Sequence, residues 1–144
     1  MLPQLERFLD ESEVHLAISL HSPFEEERKK LMPVENASSI KSVIEMLKGF
    51  DTGRQRRISF EYIMLRGLND TPRHVKELIR MLGGMRCRMN LIRYHQIPGV
   101  SLVPSSDEIV EYFMSSLNSK GIRTTVRASR GEDISAACGM LSTG

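Results

Sequence analysis

Cys138 stands six residues from the end of the sequence, in Arg127-Ala128-Ser129-Arg130-Gly131-Glu132-Asp133-Ile134-Ser135-Ala136-Ala137-Cys138-Gly139-Met140. Two arginines three apart lead into a glycine turn, two carboxylates follow, and small residues surround the cysteine. A thiol is a nucleophile only as its thiolate, and nearby cations favour that form. Arg127 and Arg130 supply cations, whereas Glu132 and Asp133 work against them. The small neighbours leave room for a substrate. The competing reading is a small apolar side chain in a packed interior, a common use of free cysteine.

The other polar groups with chemical potential fall just after predicted strands. Ser19 and His21 close a run of alternating residues, His95 closes another, and the Cys138 tail follows a third. In parallel α/β sheets the C-terminal strand ends converge on one cleft, so these residues are expected to share a rim. Several familiar site types are absent. There is no G-x-G-x-x-G, no G-x4-G-K-[ST], no C-x2-C and no H-x3-H. A zinc or iron–sulfur site built from this chain alone is therefore not expected. A reactive cysteine without its own electrophile points to a cofactor, or to a further part of the protein.

The elements that must position these groups are legible in the patterning. Residues 14–20, Val-His-Leu-Ala-Ile-Ser-Leu, alternate strictly, which predicts a parallel strand with an apolar back and a polar front. Residues 24–31 pair Glu25 with Lys29 and Glu26 with Lys30, predicting a solvated helical turn. Ser38 or Ser39 caps a helix with Ile40, Val43, Ile44 and Leu47 inward. A second strand is predicted from Arg57 to Leu65, with Glu61 either lining a polar interior or at an exposed or edge position. Thr71 and Pro72 start the next helix, with Val75, Leu78, Ile79 and Leu82 inward and His74 on the solvated side. A third strand is expected over Arg88 to His95, and Ser105 or Ser106 caps the helix after it. Residues 122–128 form a fourth strand, and residues 1–10 a short amphipathic helix.

Three strand–helix units and a final strand give an α/β fold with a mostly parallel sheet, expected as a single domain over residues 1–144. Closing a barrel needs about eight strands. The chain is therefore expected to be an open sheet, or part of a larger α/β barrel. Composition agrees: 144 residues, 40% hydrophobic and 26% charged, suffice for a real core. Two cysteines make no disulfide framework, which points to a reducing cytoplasm, and neither a secretory signal nor a membrane-length apolar run is present. Arginines cluster in Arg54-Gln55-Arg56-Arg57, in Arg86-Cys87-Arg88 and near the C-terminus. Such forks suit phosphates, although the net charge of +2 also fits an ordinary solvated surface.

Four ordered stretches carry a family resemblance. They are Leu16-Ala17-Ile18-Ser19-Leu20-His21-Ser22-Pro23, Phe60-Glu61-Tyr62-Ile63-Met64-Leu65-Arg66-Gly67-Leu68-Asn69-Asp70, Cys87-Arg88-Met89-Asn90-Leu91-Ile92, and Arg130 to Gly139. Together they resemble the C-terminal half of the RlmN/Cfr family, radical S-adenosylmethionine enzymes that methylate an adenosine of 23S ribosomal RNA. The resemblance runs from about residue 10 to residue 142. It implies an incomplete (β/α)6 radical S-adenosylmethionine barrel, of which this chain supplies the last three βα units and the tail. It implies that Ser19, Leu20 and His21 help bind S-adenosylmethionine. His95 stands where the family often has an asparagine contacting that cofactor, and one similar hydrogen bond can survive the change.

The same resemblance assigns Cys138 as the S-methylcysteine intermediate. The thiol takes a methyl group from one S-adenosylmethionine. A radical generated from a second one, at a [4Fe–4S] cluster, removes a hydrogen from that methyl. The carbon radical adds to the adenine, and a second cysteine resolves the adduct through a disulfide. The cluster motif C-x3-C-x2-C and the resolving cysteine are not in this chain. In the family both lie upstream, so the chain is expected to bind no cluster and to be inactive alone. Carbon 2 of the adenine is the expected target, with carbon 8 the alternative. The expected partners are 23S rRNA and, as a further substrate, tRNA, with no membrane. Two other classes stay open: a non-catalytic RNA-binding module, and an α/β half that self-associates through open sheet edges.

Overall fold

The computed structural model describes residues 15–31, 39–49 and 57–129. Along them run β1 (His15–Ser19), α1 (Glu25–Leu31), α2 (Ile40–Gly49), β2 (Arg57–Met64), α3 (Pro72–Leu82), β3 (Arg88–Arg93), α4 (Asp107–Ser119) and β4 (Arg123–Ala128). The four strands form one sheet in the order β1-β2-β3-β4, and every neighbouring pair is parallel. Parallel neighbours cannot be joined by a tight hairpin, so each connection must cross over the sheet, here through a helix. The expected α/β fold is present. The amphipathic segment at residues 1–10 lies outside the described residues.

The period-2 alternation of each strand decides which face is buried. Phe60, Tyr62 and Met64 of β2 and Met89 and Leu91 of β3 lie on the helix side. They meet Ile40, Ile44 and Leu47 of α2, Val75, Leu78 and Leu82 of α3, and Val110, Phe113 and Leu117 of α4. These helical positions recur every three or four residues, which puts each set on one stripe. Each fully buried side chain of this kind contributes about 1.5–3 kcal/mol. The helices start where capping chemistry allows. Ser39 Oγ accepts from Ser42 N–H at 3.1 Å, and Ser106 Oγ accepts from Ile109 N–H at 3.3 Å. Thr71 is the cap of α3, with Pro72 behind it.

The opposite face is different in kind. The register aligns Ala17, Ser59, Arg88 and Arg123 in one cross-strand row, and Ser19, Glu61, Asn90 and Thr125 in the next. Toward the C-terminal ends this face turns apolar. Ile63, Leu65, Ile92, Tyr94 and Leu102 form a second small cluster, with Leu31, Ile97 and Val100 against it. The loop after β3 thus folds back over the strand ends. A slip of one residue would exchange the two faces of any strand, so this register is strongly specified.

Three sequence expectations need correction. β2 ends at Met64, because Leu65 leaves the ladder: it bridges Pro104, and its N–H goes to the Asn69 side chain at 2.9 Å. β3 stops at Arg93 rather than His95, where the chain turns to cover the sheet. The third concerns His74, expected in solvent but only 3% exposed. α1 lies over it, so its charged run is not mere surface. Thr71 N–H donates to His74 Nδ1 at 3.3 Å, which leaves Nε2–H to donate to Glu27 Oε1 at 2.6 Å. Phe24 meets the imidazole edge-on at 5.3 Å, and Arg73 stacks on Phe24 at 4.0 Å. A helical wheel of α3 alone cannot show that another segment covers its outer side.

Burial pulls the Glu27 carboxyl upward, but hydrogen bonds from His74 and Ser22, with the neighbouring Arg73 guanidinium, outweigh it, leaving the group below its ordinary value. A depressed carboxyl adds stability above its unfolded value and loses it as pH falls through its folded one. Thermal midpoints measured from about pH 5 down to about pH 3 should therefore fall more steeply for the wild type than for Glu27→Gln. Equal slopes would show that this clasp contributes nothing to acid stability.

Candidate functional site

β1 delivers Ser19, Leu20 and His21 to the C-terminal mouth of the sheet. The chain turns sharply there, with His21 in the left-handed region at φ 58°. That conformation is uncommon for a residue with a Cβ and must be held by its surroundings. Three contacts hold it. His21 Nδ1 accepts from Ile63 N–H at 3.0 Å, its carbonyl accepts from Asn69 Nδ2 at 2.9 Å, and Ser22 N–H donates to Leu20 O at 2.7 Å. Because Nδ1 is an acceptor, the imidazole carries its proton on Nε2. Arg28 of α1 donates to the Ser19 carbonyl at 3.1 Å.

Asn69 is the hub of this arrangement and is fully buried. Its Nδ2 donates to His21 O and also to Ile63 O at 2.7 Å, while its Oδ1 accepts from Leu65 N–H at 2.9 Å. Its own carbonyl accepts from Tyr62 Oη at 2.5 Å. Burial, then the charges of Glu27 and Asp70, hold the Tyr62 phenol well above its usual value, so it remains a donor. One amide therefore ties the turn after β1 to the turn after β2. In the sequence Asn69 stands out only as part of the Phe60-to-Asp70 resemblance stretch. Its signal was a short polar residue directly after a strand, where an amide can satisfy loop backbone groups.

The sequence-selected residues separate into three groups. Ser19, Leu20 and His21 lie together at the mouth. The Leu20 side chain is fully buried toward the helices, and its N–H is given to Glu61 O at 2.8 Å. Leu20 can therefore meet a ligand only through its backbone. The Ser19 hydroxyl faces the polar row beside Glu61. His95 is exposed, two residues beyond β3, and makes no hydrogen bond or ion pair among the described residues. Cys138 lies outside the described residues. Cys87 is a different thiol: burial, partly offset by Lys48, pushes it up to about 11, so it is neutral at physiological pH and structural.

The polar face supplies residues that sequence reasoning weighed little. Glu61 stands on a central strand rather than an edge, since β2 has partners on both sides, and its side chain is partly exposed on the polar face. Arg127 reaches across β3 to Glu61 at 3.3 Å, and Thr125 Oγ1 donates to Asn90 Oδ1 at 2.9 Å. Ser129 N–H donates to Arg93 O at 2.9 Å, so the chain is still anchored to β3 where the described residues end. Ser19, the last residue of β1, joins this polar row directly before the Leu20-His21 turn. Among the described residues no group of three or more histidines, cysteines or carboxylates could hold a metal ion. No helix of these residues is long and apolar enough to cross a membrane.

This architecture has close relatives. Over 139 residues the chain is 57% identical to a probable dual-specificity RNA methyltransferase RlmN of Bacteroides fragilis, covering 96% of this chain and 40% of that protein. A protein of the same name from Clostridioides difficile is 38% identical over 142 residues, covering 98% of this chain and 41% of its own length. Among solved structures, a radical SAM methyltransferase from Sphaerobacter thermophilus superposes with a TM-score of 0.81 at 36% identity, over 100% of this chain and 42% of that one. A domain of pyruvate-formate lyase-activating enzyme from Bacteroides vulgatus shares the fold, with a TM-score of 0.69 at 16% identity. No family model matches the chain. The chain spans about 40% of the length of the curated relatives it matches.

Proposed function

We propose, from the premise that this chain belongs to the RlmN family of radical S-adenosylmethionine methyltransferases, that it serves in methylating carbon 2 of an adenosine in 23S rRNA and in tRNA. The observation that carries this reading is a coincidence of place. The Ser19-Leu20-His21 turn of the family resemblance sits at the mouth of a parallel sheet whose facing surface is a polar row. The dual-specificity name of the relatives favours two RNA substrates over one.

S-adenosylmethionine fits the residues present. The Ser19 hydroxyl and the backbone of Leu20 and His21 would hold its polar edges, with His95 a further donor from the loop after β3. The bound cofactor would supply the methyl group. Cys138 would carry that methyl as S-methylcysteine, and its neighbours Ala136, Ala137 and Gly139 leave room for it. Thiolate formation there would be favoured by Arg127 and Arg130. Glu61 would hold the Arg127 end of β4 in place through their ion pair.

The [4Fe–4S] cluster does not fit this chain. Two cysteines in the whole sequence cannot supply three or four thiolate ligands, and Cys87 is a buried, neutral thiol. No step is assigned to the cluster on these residues. The chain alone is accordingly expected to transfer no methyl group, and the reaction is expected in the cytoplasm.

The test is direct. The complete gene product, reconstituted without oxygen, is supplied with methyl-labelled S-adenosylmethionine and transcripts of 23S rRNA or tRNA. Mass spectrometry should find the label on carbon 2 of one adenosine in each. Label on carbon 8 would correct the regiochemistry, and no transfer at all would overturn the reading.

A further inference from the structure

The turn after β2 presents an apolar side chain to solvent on an unusually well-fastened base. Arg66, Gly67 and Leu68 are exposed, and Leu68 is 46% exposed. The two residues that follow, Asn69 and Asp70, are buried. Asn69 makes the four hydrogen bonds described above. Asp70 Oδ1 accepts from Gly67 N–H at 2.9 Å, and its Oδ2 accepts from Ser105 Oγ at 2.6 Å. Arg66 N–H donates to Val103 O at 2.8 Å, which ties the other end of the tip to the loop after β3. Gly67 takes φ 75°, which lets the tip project.

This investment has no folding return in Leu68 itself, whose side chain stays in water. Tyr112, the other large exposed hydrophobic among the described residues, differs in having a hydroxyl and an edge-on contact with Phe113 at 6.4 Å. Leu68 has neither. It projects at the strand ends, one residue from the amide that holds His21. Its neighbour Arg66 makes no ion pair among the described residues. Asp70, the nearest acid in sequence, is buried and spent on internal hydrogen bonds. The tip therefore offers one apolar side chain and one unneutralised cation, held rigid beside the mouth of the site.

We infer that the Arg66-Gly67-Leu68 tip is an RNA-docking element: Leu68 packs on an unstacked base beside the target adenosine, and Arg66 takes a backbone phosphate. Single-stranded and splayed bases offer flat apolar faces, and phosphates favour a guanidinium fork. A tip already ordered in the free protein loses little freedom on binding, which favours affinity. This rests on the RNA methyltransferase reading above.

The experiment uses the complete, cluster-loaded gene product and a 23S rRNA stem-loop transcript containing the target adenosine. Leu68→Glu should weaken RNA affinity by about tenfold, and Leu68→Ala by a smaller factor. Arg66→Glu should also weaken it and lower the slope of log affinity against log salt by about one. Thermal midpoints should stay at the wild-type value for all three. Wild-type affinity in Leu68→Glu and Arg66→Glu would overturn the inference. So would a fall of several degrees in the midpoint of Leu68→Glu, which would mean that another part of the protein covers the tip. A wild-type protein that binds neither rRNA nor tRNA would instead overturn the underlying reading.

Discussion

Replacing Cys138 by alanine in the complete gene product is expected to cut methyl transfer by about a thousandfold or more, because the reaction would lose its covalent carrier. Iron–sulfur absorbance and RNA affinity should stay at wild-type levels, since neither depends on that thiol. Cys87→Ala is the matched control. Its thiol is held neutral by burial and lies in the helix-side core, so its loss should be felt in stability before activity. Mass spectrometry adds a second readout: protein isolated after exposure to S-adenosylmethionine should carry one methyl on Cys138, and none in the alanine variant. If Cys138→Ala methylates RNA normally, the thiol is only a packed apolar residue.

The second large effect is expected at Asn69, where no chemistry occurs. Asn69→Ala strands three buried backbone groups, Leu65 N–H, His21 O and Ile63 O. Each unsatisfied group costs about 1–3 kcal/mol, and relaxation keeps the sum below full additivity. A loss of about 3–5 kcal/mol follows, which in a domain of this size lowers the thermal midpoint by about 10 °C. Asn69→Asp separates donor from acceptor roles. It keeps an acceptor for Leu65 N–H but turns a carboxylate toward two carbonyls, so it should be no better than alanine. S-adenosylmethionine affinity should fall in both, because the left-handed turn at His21 loses its anchor. A loss under about 1 kcal/mol for Asn69→Ala would show that the two turns are held by something else.

These two residues mark the reach of sequence reading. Cys138 is singled out by its sequence setting, a thiol among small residues and near arginines, and by the family resemblance that gives it a role, and it lies outside the described residues. Asn69 is not singled out in this way, because its importance lies in partners 6 and 48 positions away. His74 failed for a related reason. The stripe of α3 correctly placed Val75, Leu78 and Leu82 inward, but the outer side of a helix is solvated only if nothing crosses it. Here α1 crosses it and supplies Glu27. Glu61 was ambiguous from its strand alone. Parallel partners on both sides decide that it stands on a central strand and not at an edge.

The local period and the caps determined the elements and their order. Strict alternation over residues 14–20 assigned the first strand an apolar and a polar side, and serine or threonine before an apolar stripe marked the helix starts. These signals are local, so a single chain reading recovers them. Register is not local. Only the paired sheet puts Ser19, Glu61, Asn90 and Thr125 in one row, and only the packed loops bring His21, Ile63, Leu65 and Asn69 into one network. The reason is that backbone hydrogen bonds between distant strands, and the need to satisfy every buried polar group, act on spatial neighbours whatever their separation along the chain.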